Sequence, residues 1–563
     1  MKKTAAILAM AVLCSAALAQ VPADPLRPHL EIRDDVRQLI VDGRPFLILG
    51  GELHNSSSSS LAYMKTLWPV LVEKKLNTVL AAVSWELIEP KEGKFDFTLM
   101  DGLIEGARQN RMHLVLLWFG SWKNGVSSYP PYWVKTDPKR FPLAQDKSGK
   151  TLNILSTFGT AARDADARAF STVMRHIREV DGKRHTVLMM QVENEVGVLG
   201  DSRDHSPAAN DAFAGPVPKE LMRYLQQHKD ALAPELLEVW KTSGMKTSGT
   251  WTQVFGDAGT WSPDSIFMAW YYACYVNHVA EAGKAEYNIP FYVNAWLDGP
   301  NSRPGQYPSG GPLPQVADIW RAGASRIDFQ SPDLYAAQFA EISARFNRHG
   351  NPLFIPETRA GMQGATNVLC ALFKHNGIGF SPFAIEDRGA GARGQDTTTE
   401  PVADPFAQTY AILDYLAADI LSTQGKNMVA FLEGTDSNSA PQTVKLGDYT
   451  LNITFGVPAG GRGSRGFGGP AASTAVPNAS PARFIICCGP GEYVFVGGPM
   501  SVTFTPNAPG SGTAQLASFD ESMCVDGRWV PGRRLNGDET GHNSRWPVMR
   551  TFGIYRYRIY QGN

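Results

Sequence analysis

From about residue 44 to residue 386, short apolar runs alternate with stretches whose apolar residues recur at helical spacing. The runs are PFLILGGELH, NTVLAAVSWE, MHLVLLWFGSW, TVLMMQVENE, PFYVNAWL, RIDFQSPDLY, PLFIPETR and GIGFSPFAIED. Each has the length and apolarity of a strand buried on both faces. Between them lie segments such as LAYMKTLWPVLVEKK, AARDADARAFSTVMRHIREV and YAAQFAEISARFNRHG, patterned as amphipathic helices. Eight strand-then-helix units predict a parallel sheet, and eight is the number that closes a (β/α)8 TIM barrel, here over residues 30–425. The fourth and fifth runs are far apart, with helical patterning around 218–243 and 265–286, so an insertion over the barrel mouth is expected.

After PFAQTYAILDYLAADILST the grammar changes to short alternating strands: TVKLGDYTLNITFG, RFIICCG, EYVFVGG, SVTFTP and YRYRIY. Loops rich in Gly, Pro and Ser separate them. Residues 426–563 therefore read as a C-terminal all-β, sandwich-like accessory domain. Its segment GGRGSRGFGG holds Gly461, Gly463 and Gly466 in a G-x-G-x-x-G pattern. Without a preceding βαβ context or a following helix, that pattern reads as loop. The five serines at 56–60 read as loop too.

Composition alters this picture only at the edges. The chain has 563 residues, 43% hydrophobic and 19% charged, with a formal net charge of −1. Neither a nucleic-acid footprint nor a basic membrane-binding run is indicated. MKKTAAILAMAVLCSAALAQ has two lysines, an apolar stretch too short to span a bilayer, and an Ala-Leu-Ala cleavage site. Residues 1–19 are expected to be a cleaved signal, making the protein periplasmic or secreted without membrane insertion. Of six cysteines, Cys14 leaves with the signal. Cys274, Cys370, Cys487, Cys488 and Cys524 are odd in number and lack C-x-x-C spacing, which points to buried thiols with at most one or two disulfides. Cys487 and Cys488, adjacent on a strand, are expected on opposite faces.

The chemistry lies at the strand ends, where functional groups of such a barrel collect. Acids recur there: Glu52, Glu86, Glu89, Glu193, Glu195, Asp333, Glu357, Glu386 and Asp387. Ion pairs with arginines such as Arg359 and Arg388 account for some of them. They do not explain why runs four and seven each pass directly from apolar residues into a carboxylate. Glycoside hydrolysis does, because two carboxyl groups must flank the scissile bond, one as proton donor and one as nucleophile. Burial of the acid raises its pKa toward the working pH.

ENE closing run four and PET closing run seven resemble the clan of (β/α)8 glycosidases with an Asn-Glu acid on strand 4 and a nucleophile on strand 7. SWELIEPKEGKFDF, residues 84–97, resembles the strand-2 signature of glycoside hydrolase family 35, the β-galactosidases. GGELHNSS and WFGSWKNG resemble the bacterial branch of that family that carries a small C-terminal β domain. The resemblance spans nearly the whole mature chain. It implies Glu195 as acid/base, Asn194 as its partner and Glu357 as nucleophile, with no cofactor and no metal, and an oligosaccharide substrate. Glu193 also lies on the strand, where it can face the same side. The chain departs from the family at Glu86 and Ile88, where Asn and His are usual, and at Gly120-Ser121, where Ala-Glu is usual. Terminal β-galactose, including that of xyloglucan side chains, is the implied substrate.

Of the aromatics near strand ends, Trp122 and Tyr335 are the candidates for stacking on a sugar, ahead of Trp85, Trp118 and Trp296. His54 and Asn294 are polar candidates for substrate binding. Two other readings stand beside the exo-β-galactosidase. One is a glycosidase of the same clan with another sugar or endo action; the other is a non-catalytic carbohydrate-binding barrel, which would not need both glutamates. A zinc-bearing enzyme of family 42 is disfavoured because the needed cysteine cluster is missing. Oligomeric state is not legible in the sequence.

Overall fold

The computed structural model describes residues 24–256, 261, 263–387, 404–434, 438–456, 480–510, 512–536 and 546–562. The expected signal and the glycine-rich segment around Gly461–Gly466 lie outside the described residues. All eight apolar runs are strands: β1 (Ile48–Glu52), β2 (Thr78–Ser84), β3 (His113–Phe119), β4 (Val187–Val192), β5 (Phe291–Trp296), β6 (Phe329–Leu334), β7 (Phe354–Ile355 continuing in Glu357–Thr358) and β8 (Gly379–Phe380). They pair in parallel in sequence order. Pro356 splits β7, since proline has no N–H to give the ladder. The first half pairs with β8 through Phe354 and Ile355, the second with β6 through Glu357 and Thr358. One interrupted strand thereby closes the barrel.

A helix follows each strand: α1 (Leu61–Glu73), α2 (Thr98–Gln109), α3 (Thr160–Asp181), α4 (Asp264–Glu286), α5 (Ala317–Gly323), α6 (Phe339–Phe346), α7 (Gly361–Leu369) and α8 (Pro405–Tyr415). The helical pattern at 265–286 is thus the barrel's own α4, packed on α3, and not part of an insertion. The inserted helices are Pro207–Ala214, Lys219–Gln227, Pro234–Thr242 and Trp251–Phe255. Lys219–Gln227 packs against α5, on the flank of the barrel. Inside the barrel, Leu80, Val115, Leu117, Leu188, Tyr292, Phe329 and Phe354 form one buried cluster. Leu39 and Val41, from an antiparallel meander over residues 29–46, join that cluster where the strands begin.

After α8 and α9 (Ala417–Thr423) come two antiparallel sheets, one of six strands and one of four. Period-two burial decides what each face meets. On the strand Phe484–Gly489, Ile485 and Cys487 enter the core between the sheets, while Phe484 and Ile486 join the barrel's core. The Phe484 ring lies 4.6 Å from that of Phe373, between β7 and β8. Cys487 and Cys488 do face opposite ways: the Cys488 thiol meets Asp419 of α9 at 3.5 Å. Arg556 holds the same carboxylate at 2.6 Å. All five cysteines among the described residues are free thiols. No described helix is long and apolar enough to cross a membrane.

Candidate active site

At the C-terminal end of the barrel, buried carboxyl groups converge from four strands. One carboxylate oxygen each from Glu195, Asp333 and Glu357 lies within 4.8 Å of the other two. Glu52, at the end of β1, is buried and feels the charges of Glu357 and Glu195. Three carboxylates so close would also suit a cation, and among the described residues they are the one such group. Every member comes from the barrel and none from the C-terminal sheets.

The local backbone explains which glutamate of ENE enters the site. Alternation along a strand would send Glu193 and Glu195 the same way. Instead both take left-handed conformations, with φ of 63° and 45°. Such residues cost of order 1–3 kcal/mol each and persist only where the surroundings hold them. Here Glu193 turns into the barrel wall, where its Oε2 accepts the Trp122 N–H at 2.8 Å. The Asn194 N–H donates to the Trp122 carbonyl, and the Glu195 N–H donates to Oδ1 of Asn294 at 3.0 Å. Glu195 is thereby delivered to the cluster. Beneath it, Glu193 pairs with Asp166 of α3, and burial pushes both acids above the usual carboxylate range. Asp166 accepts from Trp118 Nε1 at 2.8 Å and Ser121 Oγ at 2.6 Å. A Cβ on Gly120 would stand 2.6 Å from Glu193 Oε1, so the wall has room only for glycine there.

Burial, then repulsion from Glu357, pushes the Glu195 carboxyl up to about 7; Lys123 and a hydrogen bond with Asp333 pull the other way. Asp333 and Glu52 stand well above the usual range, for burial first and then for the neighbouring carboxylates. Glu357 Oε1 accepts the Tyr335 hydroxyl at 2.6 Å. Burial and that carboxylate raise the Tyr335 phenol far above its ordinary value, so it stays a donor. Both amide atoms of Asn194 and Oε2 of Glu357 are buried without a partner among the described residues.

The sequence reading missed Lys123. It sits in W-K-N-G-V, where Asn124 and Gly125 have φ of 53° and 65° and Lys123 pairs with Val126. Asn-Gly in that conformation makes a tight two-residue turn. It leaves Lys123 only 4% exposed, its ammonium 5.1 Å from the Phe119 ring centroid. Burial works against the ammonium, but Glu357, Glu195, Glu52 and Asp333 more than offset it and raise its pKa. The Asn-Gly pair after an apolar run was the available signal.

Other expectations fare unevenly. Trp122 is corrected: it is fully buried between Tyr272 and Tyr275, its indole N–H donating to Leu155, so neither ring face is open to a sugar. Trp85 and Trp118 are buried as well, whereas Tyr335 and Trp296 remain 39% exposed. Asn294 donates to Oδ2 of Asp333 at 2.7 Å and positions the acids. His54 stands at the rim, 3.0 Å from Asp387. The serines read as loop carry bonds: Ser57 Oγ donates to Glu386, and Ser58 Oγ to the Ala82 carbonyl. The departures from the family pattern make their contacts elsewhere than with Glu195 and Glu357. Glu86 reaches Lys135 at 3.0 Å, Ile88 is core, and Ser121 is bound to Asp166 and Tyr275.

Residues 62–255 match the family model described as Beta-galactosidase, of glycoside hydrolase family 42, and residues 406–546 match a domain of unknown function, DUF5597. The family set aside for want of cysteines is therefore the one whose model matches. Beta-galactosidase 11 of Arabidopsis thaliana is 28% identical over 131 residues, covering 21% of this chain and 15% of that protein. Among solved structures, the β-galactosidase of Bacillus circulans sp. alkalophilus is 16% identical with a TM-score of 0.42, over 68% of this chain and 57% of that one. The catalytic domain of β-amylase from Paenibacillus polymyxa is 12% identical with a TM-score of 0.45, over 65% and 98%. The chain thus spans well under two thirds of the length of the first of these relatives. In sequence, residues 62–255 resemble the β-galactosidase family model, and a domain of unknown function matches the C-terminal part of the chain.

Proposed function

We propose that this protein is a retaining exo-β-galactosidase, resembling glycoside hydrolase family 35 in its strand-end motifs, that works outside the cytoplasm on plant cell-wall oligosaccharides. One observation carries the reading: Glu195, just past β4, and Glu357, on β7, each place a carboxylate oxygen within 4.8 Å of the other's. Retaining enzymes hold their carboxyl groups about 5–5.5 Å apart, whereas inverting ones leave about 6.5–9.5 Å for a water. Glu357 attacks the anomeric carbon as Glu195 gives its proton to the departing oxygen. Glu195 then takes a proton from water, whose oxygen displaces Glu357. The Tyr335 hydroxyl aims the nucleophile, and the Asn194 amide is placed to meet a sugar hydroxyl. Supporting the galactoside are the family model matched over 62–255 and the named plant relative.

Two results are expected. Proton NMR of the first-formed sugar from an aryl β-galactoside should show the β-anomer; an α-anomer would exclude double displacement. The second is a pH profile. Glu195 must be protonated to act as acid, so kcat/KM should fall as pH rises through about 7. A flat profile to pH 9 would remove Glu195 from that role. For the sugar itself, galactose release should be compared among galactosylated xyloglucan oligosaccharides, lactose and β-1,4-galactobiose. Release of a different sugar from another glycoside, with none from these, would favour the clan-related alternative and leave the chemistry standing.

A further inference from the structure

Asp333 has no task in that mechanism, yet it is placed among the reacting groups. It ends β6 next to the Glu357 end of β7, to which it is register-paired. Its Oδ2 is occupied by the Asn294 amide at 2.7 Å, and its Oδ1 has no donor of its own among the described residues. One of its carboxyl oxygens lies within 4.8 Å of one of Glu195's. Two carboxyl groups bond to each other only if a proton lies between them, because an ionised carboxylate is acceptor-only. Asn294 fixes both sides of this contact, since its amide holds Asp333 while its Oδ1 takes the Glu195 N–H at 3.0 Å.

We propose that Asp333 is a neutral carboxylic acid throughout the cycle and donates from Oδ1 to Glu195, acting as a positioning residue for the acid/base. This rests on the glycosidase reading. When Glu195 gives its proton to the glycosidic oxygen, the C–O electron pair goes to that oxygen and Glu195 is left a buried carboxylate. The Asp333 O–H then makes a charge-assisted bond to it, worth more than a neutral one. In the second step Glu195 regains a proton from water, and the Asp333 proton never leaves. An apolar site can hold a carboxylic acid neutral so that it donates.

The groups facing Asp333 agree. Glu52 on β1, Glu195 on β4 and Glu357 on β7 all oppose a second negative charge there, as do Tyr292 on β5 and the phenol of Tyr335 if ionised. Lys123 favours it. Burial and these acids raise its pKa well above the ordinary aspartate value.

The test uses Asp333→Asn, which keeps a donor of the same shape, and Asp333→Ala, which removes it. Infrared difference spectra of wild type against Asp333→Asn at pH 8 should show a protonated-carboxyl C=O band present only in wild type. The alkaline limb of kcat/KM should stay in place in Asp333→Asn and rise by about one unit in Asp333→Ala, which loses a hydrogen bond to the charged form of Glu195. Overturning results are the absence of that band, a limb that falls by about a unit in Asp333→Asn because a negative charge was removed, or an unmoved limb in Asp333→Ala. A merely structural aspartate would lower activity without moving the limb. If Asp333→Ala does not fold, the band decides. If no glycoside is turned over, the band still answers for Asp333 while the glycosidase reading falls on its own.

Discussion

Glu357→Ala is expected to lower kcat/KM by about four orders of magnitude or more, the scale seen when an essential nucleophile is removed. The residue leaves β7 immediately after Pro356, its Oε1 held by Tyr335 at 2.6 Å and its Oε2 open toward the cluster. No neighbour can substitute for it: Glu52 and Asp333 are pushed toward their neutral forms, and a neutral acid is a poor nucleophile. Glu195→Ala should differ in kind. General acid catalysis contributes about 10²–10⁴-fold, so that loss should appear with poor leaving groups such as a sugar alcohol. Activated aryl glycosides, which depart without a proton, should lose far less in the first step. Steady-state kinetics on a leaving-group series would separate the two variants. Equal losses for Glu195→Ala across the series, or wild-type rates for Glu357→Ala, would reverse the assignment.

The parts of this arrangement legible in the sequence are those that burial writes into it. Eight runs such as MHLVLLWFGSW are too apolar for anything but a buried strand, and their number forces closure. Which side chain faces the mouth is written less plainly. Glu193 and Glu195 are indistinguishable by period, because the separation comes from two left-handed residues that their neighbours hold in place. Trp122 looked like a sugar platform from its position after β3, but the turn that follows buries it against α4 through Tyr272 and Tyr275. Asp166 lies in a helix patterned like a surface one, AARDADARAF, and only the fold reveals that it meets Glu193. Long-range pairs of this kind leave no local pattern to read.

Lys123→Met is expected to cost nearly as much as loss of the acid. The ammonium faces Glu52, Glu195, Asp333 and Glu357 together, and methionine fills similar space without the charge. Removing one partner of a buried charge group costs about 3–5 kcal/mol, and if that falls on the transition state it amounts to roughly two to four orders of magnitude in rate. The direction of the pH effect follows from what Lys123 does now. It pulls the Glu195 pKa down from where burial and Glu357 would set it, so without it the acid should stay protonated to higher pH. The alkaline limb of kcat/KM, expected near 7 in the wild type, should move upward even as the rate falls. A variant that merely unfolds would show a lower thermal midpoint and an unshifted profile in its residual activity. A Lys123→Met enzyme within a few-fold of wild type, with its alkaline limb in place, would mean that the four acids do not depend on this cation.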